Sequence, residues 1–482
     1  MLFNSFNFVY FFGVIFALYY ITPHRFRWIV LLAGSYYFYA TWKVEYLIYL
    51  IVPTIVVYGL ALKIEKTSSD RARKLFLSLG IGVPLGLLFT FKYLDLFVKS
   101  FASLFNFQSF KPLNLLLPIG ISFYTFKLLS YIIDVYNKNL KPERHAGIFA
   151  LYVSFFPQLL AGPIDRAVRF IPELKKRVHL DWERIGEGLR LVMWGIFKKI
   201  VIADRMALFV NQVFRDPAHY HGLNLIFALY FYSFQIYCDF SGYSDIAIGL
   251  SRMLGLKSMD NFNFPYFSKN LSQFWNRWHI SLSTWLRDYL FLPIAYAILR
   301  LTKKEKVLNI KFEEWGYAGG IGITMFLGGL WHGANWTFVI WGILHGMYLA
   351  WGRLFKRIKK RFVRKVGLQK WPRFHRLIGI FFTFHLVTFA WIFFRSPSFD
   401  HALRYIKNLD FNLSGSGLVH LLYTLFFVVV FVVMEIILKN RQRLTFLDKI
   451  PLELKIAGYM LFLCLIIVFS VDSSNEFIYF QF

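Results

Sequence analysis

Residues 46–74 read YLIYLIVPTIVVYGLALKIEKTSSDRARK. The first seventeen, Tyr46–Leu62, carry no charge, and the next twelve carry Lys63, Lys66, Arg71, Arg73 and Lys74 against Glu65 and Asp70. An uncharged apolar run of that length approaches the roughly 20 residues a helix needs to cross a bilayer core. Short basic loops beside such runs stay on the cytoplasmic side. Working outward, Leu75–Phe91 is the next apolar run, Trp28–Trp42 is a short one before, and Phe3–Thr22 is the first. With the basic loops His24–Arg27 and Lys63–Lys74 cytoplasmic, the N-terminus and the link near Lys43 lie outside. The start of the chain has no basic leader and no small-residue cleavage site, so it reads as a retained first span.

Further along, Leu115–Tyr136, His145–Leu160, Leu189–Phe209, Leu223–Leu250, Leu377–Phe394, Val419–Leu438 and Ile456–Val471 are apolar in the same way. Basic connections recur at Lys303–Lys311, Lys356–Arg376 and Lys439–Arg443. Of the 482 residues, 57% are hydrophobic, 21% aromatic and 17% charged, more apolar surface than a soluble domain can bury. The expected fold class is an all-α polytopic membrane protein, about eleven transmembrane helices with shorter re-entrant and interfacial pieces. The spans read as one bundle and so as a single domain over 1–482: N-terminal spans 1–115, a core 116–355 and C-terminal spans 356–482. No internal repeat is visible, which argues against the commonest transporter designs.

The formal net charge is +28, from 55 Lys and Arg against 27 Asp and Glu. These bases sit in short loops between apolar runs and meet anionic lipid head groups. None interleaves with stacking aromatics in a polar domain, so nucleic acid is not an expected partner. The two cysteines, Cys238 and Cys464, form no metal motif and no disulfide framework.

Three stretches are not ordinary spans: Leu117–Phe123 (LPIGISF), Ala161–Phe170 (AGPIDRAVRF) and Asp260–Arg287 (DNFNFPYFSKNLSQFWNRWHISLSTWLR). Polar or irregular backbone at membrane depth is tolerated only against protein or water, so these should be interfacial or re-entrant pieces lining a cavity. The sharpest stretch is Gly328–Gly346, GGLWHGANWTFVIWGILHG. Basic connections bracket it on both sides, so the chain goes in and comes back, reversing around His332–Asn335. Fifteen residues of helix from Tyr317 carry His332 roughly 22 Å inward, past the middle of a core about 30 Å thick. A titratable imidazole there is a candidate for chemistry. His345 is thirteen residues on, a turn of about 220° on one continuous helix, and reads as support or packing. Asn276 and His279 are three apart and would share a helix face.

Other groups read more blandly. His24, His145, His179, His375 and His401 lie in or beside loops, and His385 suits a bond to a neighbouring helix. His219 and His221 lack the companion ligands of a metal pair. Asp239 and Asp245, buried acids six apart, suit helix-to-helix hydrogen bonds better than a proton relay. There is no HExxH and no nucleotide-binding glycine pattern, and no metal is expected.

FWNRWHISLSTWLRDYLFLPI, followed some thirty residues later by GGLWHGANWTFVIWGILHG, resembles the membrane-bound O-acyltransferase family. LLPIGISFYTFKLLSYIIDVY, FFPQLLAGPIDRAVRF and YCDFSGYSDIAIGLSRMLG look like its bacterial branch of alginate and polysaccharide O-acetyltransferases. The resemblance runs from Leu116 to Leu354, and more loosely beyond. It implies helices packed around a central tunnel through the bacterial cytoplasmic (inner) membrane. It implies a catalytic histidine at His332 and a second family position at His279, with Asn276, His345, Asn335 and Trp336 as site support. The implied reaction moves an acyl group, acetyl in this branch, from a thioester to a hydroxyl. His332 takes the hydroxyl proton, and His279 orients the donor or steadies the developing oxyanion. No cofactor is bound. The donor is acetyl-CoA or the thioester of an acidic acyl carrier protein, drawn to the basic cytoplasmic loops. The acceptor is an exported polysaccharide, as in exopolysaccharide or alginate biosynthesis, or an extracytoplasmic acetyl-transfer protein. D-alanyl transfer to teichoic acid is the alternative within the family, and a polysaccharide exporter the alternative outside it.

Overall fold

In the computed structural model, residues 1, 3, 5–105, 113, 115–160, 162–301, 306–307, 310–410, 418–439, 451–470 and 477–478 are described. They are overwhelmingly helical. The one exception is a two-residue antiparallel pairing of Lys306–Val307 with Ile310–Lys311, inside a stretch expected to be a plain basic loop. Lys303 and Lys304 of that loop, residues 440–443 of the basic connection after Lys439, Ala161 and Val471 lie outside the described residues.

Among the described residues, three helices are long and apolar enough to cross a membrane: Val44–Lys66, Asp70–Leu104 and Pro372–Arg395. Trp336–Leu354 and Lys356–Lys365 pass the same test together but are bent by 63°. Phe6–Ile21, Thr424–Ile437 and Ile456–Phe469 are apolar but shorter. Some expected spans are divided by their own sequence. The run His145–Leu160 is two helices, Ala146–Ser154 and Phe156–Leu159, broken at Phe155 just before Pro157. The run from Leu115 does not become helical until Ile121, because Gly120 takes a left-handed φ of +75. Trp182–Ile196 runs through a wide π turn, Phe197–Ala203, into Asp204–Arg215. Large apolar side chains such as Phe6, Tyr10, Ile467 and Val468 lie on the outside. An exposed apolar surface of this extent belongs in lipid.

The helices form two compact units, Met1–Gly195 with Tyr243–Asp260, and Ile196–Gly242 with Asn261–Phe482. Composition along the chain marks neither boundary. In the first unit, Gly120 of LPIG packs against Leu159, and Asp165 joins a buried polar network. A Cβ on Gly120 would lie 2.4 Å from the Leu159 carbonyl oxygen, so only glycine fits there. Lys127 donates to the Tyr152 carbonyl and to Gln158 Oε1, each at 3.0 Å. Gln158 Nε2 donates to Asp165 Oδ2 at 2.7 Å and to Ser258 Oγ at 2.9 Å. Asp165 also accepts from Ser258 Oγ at 2.6 Å and Met259 N–H at 3.2 Å. A network whose members satisfy one another holds irregular backbone inside an apolar surround.

In the second unit, Asp239 makes the helix-to-helix hydrogen bond expected of it, and its partner is a buried lysine. It pairs with buried Lys199 at 2.7 Å, Lys199 also meets Asp204 at 2.9 Å, and Asp239 accepts the Ile478 N–H at 2.9 Å. The periodicity of the helix could not show this, because Lys199 lies 40 residues away.

Candidate active site

The second unit contains the hairpin that carries His332. Its helices are Phe312–His332 and Trp336–Leu354, with Gly333 extended after the first and Asn335 capping the second. The Asn335 side chain accepts the Thr337 N–H at 3.0 Å and donates to the Pro397 carbonyl at 2.7 Å. The chain therefore reverses at His332–Asn335, where its glycines and the short Asn side chain allow it. Between the helices, glycine meets glycine. A Cβ on Gly342 would lie 2.2 Å from the Met325 carbonyl oxygen, and one on Gly329 would lie 2.3 Å from that of Phe338. Any larger residue at either position would push the helices apart. At the open end of the hairpin, Arg353 pairs with Glu314.

His279 sits on a different device. The stretch around it is not one helix, so the expected shared face of Asn276 and His279 does not form. Leu271–Trp275 ends, and Ile280–Leu286 begins after His279. His279 has a left-handed backbone, φ +43 and ψ 57. Asn276 is exposed, whereas His279 is 0% exposed. A left-handed non-glycine residue costs on the order of 1–3 kcal/mol and persists where its surroundings hold it. Here Asn261 holds it. The Asn261 carbonyl accepts the Ile280 N–H at 2.9 Å. Its side-chain oxygen accepts the Ser281 N–H at 3.2 Å and the Ser281 hydroxyl at 2.9 Å, and lies 3.0 Å from His279 Nδ1.

That last contact decides the tautomer. A backbone N–H can only donate, so the Asn261 atom facing Ser281 is the oxygen. An oxygen needs a donor, so His279 Nδ1 carries the proton and Nε2 presents its lone pair. Nε2 is buried and has no partner among the described residues. The wall around this ring is aromatic: Phe240 stands at 4.6 Å and Phe262 at 6.4 Å between ring centroids. A buried aromatic setting favours the neutral imidazole. A neutral imidazole in this tautomer accepts at Nε2 rather than donates, which changes the oxyanion role that the resemblance suggests.

The histidines and tryptophans form a row of touching rings. His279 lies 6.1 Å from Trp331, Trp331 lies 4.8 Å from His332, and His332 lies 4.9 Å from Trp341. Trp341 lies 4.8 Å from His345, and His345 lies 5.2 Å from Trp275. His332 is 5% exposed and also packs on Phe394 at 5.1 Å. His345, which would point away from His332 on one unbroken helix, stands one ring from it, because the reversal puts the two on antiparallel helices.

Of the expected site residues, then, the structure brings together His279, His332 and His345. Asn335 shapes the turn. Trp336, 52% exposed, and Asn276 face outward. Asn261, Trp331 and Trp341 were missed. They lie within the stretches already singled out, but nothing in their spacing marks them. His385 bonds the Tyr230 hydroxyl at 2.9 Å and the Phe381 carbonyl at 2.8 Å, a packing role. His219, expected to lack a companion ligand, pairs with the Asp216 carboxylate. Among the described residues, no three His, Cys, Asp or Glu side chains are grouped to hold a metal ion.

Comparison with known proteins places this row in a family. The model of the membrane-bound O-acyltransferase family matches residues 144–395, a stretch that includes the ring row from Trp275 to His345. The chain is 39% identical over 409 residues to the "Probable alginate O-acetylase AlgI" of Azotobacter vinelandii, covering 84% of this chain and 77% of that one. It is 34% identical over 420 residues to the "Peptidoglycan O-acetyltransferase" of Helicobacter pylori, covering 82% and 75%. It is 32% identical over 300 residues to the "Teichoic acid D-alanyltransferase" of Bacillus subtilis, covering 60% and 71%. This chain belongs to the membrane-bound O-acyltransferase family and is an O-acyltransferase.

Proposed function

We propose that the chain moves an acetyl group from a cytoplasmic thioester, on coenzyme A or an acyl carrier protein, to a hydroxyl of an exported polysaccharide, directly or through an extracytoplasmic acetyl-transfer protein. The observation that carries this reading is the buried ring row, with His332 at its centre and a histidine lone pair at its end. The names of the relatives support the acetyl group and the glycan. His332 takes the proton of the attacking hydroxyl as its oxygen bonds to the carbonyl carbon. It returns that proton to the thiolate that leaves, so one ester forms and one thiol is released. His279, with Nε2 open as an acceptor, receives an N–H of the pantetheine arm and positions the donor.

The whole chain acts as one acyltransferase domain, with about eleven spans in the cytoplasmic membrane. The helix Phe312–His332 has 21 residues and a length of roughly 32 Å. With Glu314 and Arg353 at the cytoplasmic side, His332 lies near the far face. The thin, mostly uncharged pantetheine arm then reaches it through a narrow tunnel, and only the acyl group crosses. Cysteines placed at Ser68 and Lys359 label from the cytoplasm alone, and one at Lys43 from outside. Labelling of position 359 from outside would remove the cross-membrane part of this reading.

The function itself is tested by mass spectrometry of surface glycans from cells with and without the chain. Acetyl esters that vanish with it are expected. Loss of D-alanyl esters instead would move the chain to teichoic acid, and unchanged glycans would remove the polysaccharide acceptor.

A further inference from the structure

Two donors on one helix of the row are left idle by this mechanism. Trp341, 1% exposed, lies between His332 and His345, and its indole N–H is buried without a partner among the described residues. His345 is 0% exposed, and its Nδ1 lies 3.3 Å from Trp275 Nε1. An indole nitrogen can only donate. His345 Nδ1 is therefore the acceptor, and in the neutral ring the proton sits on Nε2. That Nε2 is also buried without a partner.

A buried N–H left unmatched costs roughly 1–3 kcal/mol. Native structures leave few such groups, so two on neighbouring rings call for an acceptor that arrives later. Trp341 and His345 are four apart in Trp336–Leu354 and share a helix face. The acceptor that acyl transfer creates is the carbonyl oxygen of the thioester, which gains charge as the hydroxyl adds. His279, presenting a lone pair, cannot donate to it.

We propose that Trp341 Nε1–H and His345 Nε2–H form the donor pair that holds this oxygen in the transition state, with Trp275 setting the His345 tautomer. The proposal rests on the thioester chemistry given above. The hydroxyl oxygen bonds to the carbonyl carbon, the C=O pair moves onto the oxygen between the two N–H groups, and the hydroxyl proton goes to His332. Collapse restores the C=O bond, breaks the C–S bond and returns the proton to sulfur. Trp275 is a positioning residue, since it acts through His345.

Two measurements test it. In cells with equal amounts of each variant in the membrane, the rate of glycan ester formation is compared. Trp341→Phe and His345→Leu should each lose about 10²- to 10³-fold, the usual effect of removing one such donor. His345→Gln, which returns an N–H, should recover much of the loss, and Trp275→Phe should cost less than either. The second measurement uses the full chain in lipid nanodiscs with two unreactive pantetheine analogues. One is a ketone with CH2 in place of the thioester sulfur, and the other is an S-ethyl thioether without the carbonyl. The wild type should prefer the ketone, and Trp341→Phe should lose that preference while still binding the thioether. Trp341→Phe and His345→Leu at near wild-type rates, beside an inactive His332→Ala, would overturn the donor pair and leave the acyltransferase reading standing. A ketone preference unchanged in Trp341→Phe would also overturn it. A wild type that forms no glycan ester would bring down the underlying function as well.

Discussion

Replacing His332 with alanine abolishes acyl transfer and leaves the protein in the membrane. The side chain is the last of the helix Phe312–His332, and its ring is enclosed by Trp331, Trp341 and Phe394. The helices on either side of the reversal are held together by glycine contacts and by Asn335, none of which uses the imidazole. Removing the ring therefore takes out the base and spares the hairpin. Loss of a general base costs about 10²- to 10⁴-fold. The ring is buried among aromatic side chains, so the effect belongs at the upper end. His332→Gln, similar in bulk and unable to accept and release a proton at neutral pH, should be nearly as inactive. The check is glycan ester content by mass spectrometry against the amount of each variant in the membrane fraction. Near-normal ester in either variant would end His332's role as the base.

The second large effect falls on His279 and on the residue that holds it. His279→Ala should slow transfer roughly 10²- to 10³-fold, the range of a lost positioned hydrogen bond in an active site. Asn261→Ala should come close to it without touching substrate. The Asn261 side-chain oxygen is the common acceptor for His279 Nδ1, the Ser281 N–H and the Ser281 hydroxyl. Without it, three buried donors lose their partner, and the His279 tautomer is no longer set. Asn261→Ala should therefore also lower thermal stability, since each unmet donor costs about 1–3 kcal/mol. Asn261→Asp, which keeps an oxygen in place, should retain far more activity than Asn261→Ala. Equal loss in both variants would show that the His279 tautomer is irrelevant to the rate.

Much of this could be read without coordinates. The apolar runs and basic loops are local properties of the chain, and bilayer thickness and the cost of unpaired backbone groups turn them into helices in lipid. The reversal near His332 was legible for the same reason: basic stretches on both sides leave the hairpin nowhere else to turn, and glycines flank the histidine. Gly328–Gly346 and FWNRWHIS are long enough to carry the family.

The rest depended on contacts between distant parts of the chain. A helix-face rule put Asn276 beside His279, but it presumes an unbroken helix, and Asn261, fifteen residues before Asn276, breaks the helix by capturing Ile280 and Ser281. The same rule turned His345 away from His332, because angle along one helix says nothing once the chain has folded back on itself. Trp275 reaches His345 across 70 residues, and that single hydrogen bond fixes which nitrogen holds the proton. Composition and spacing determined that this is a membrane helix protein whose chain turns back near His332. Only the tertiary structure decided which rings touch and which nitrogens donate, because hydrogen-bond direction is set by the partner across the fold and not by the neighbours in sequence.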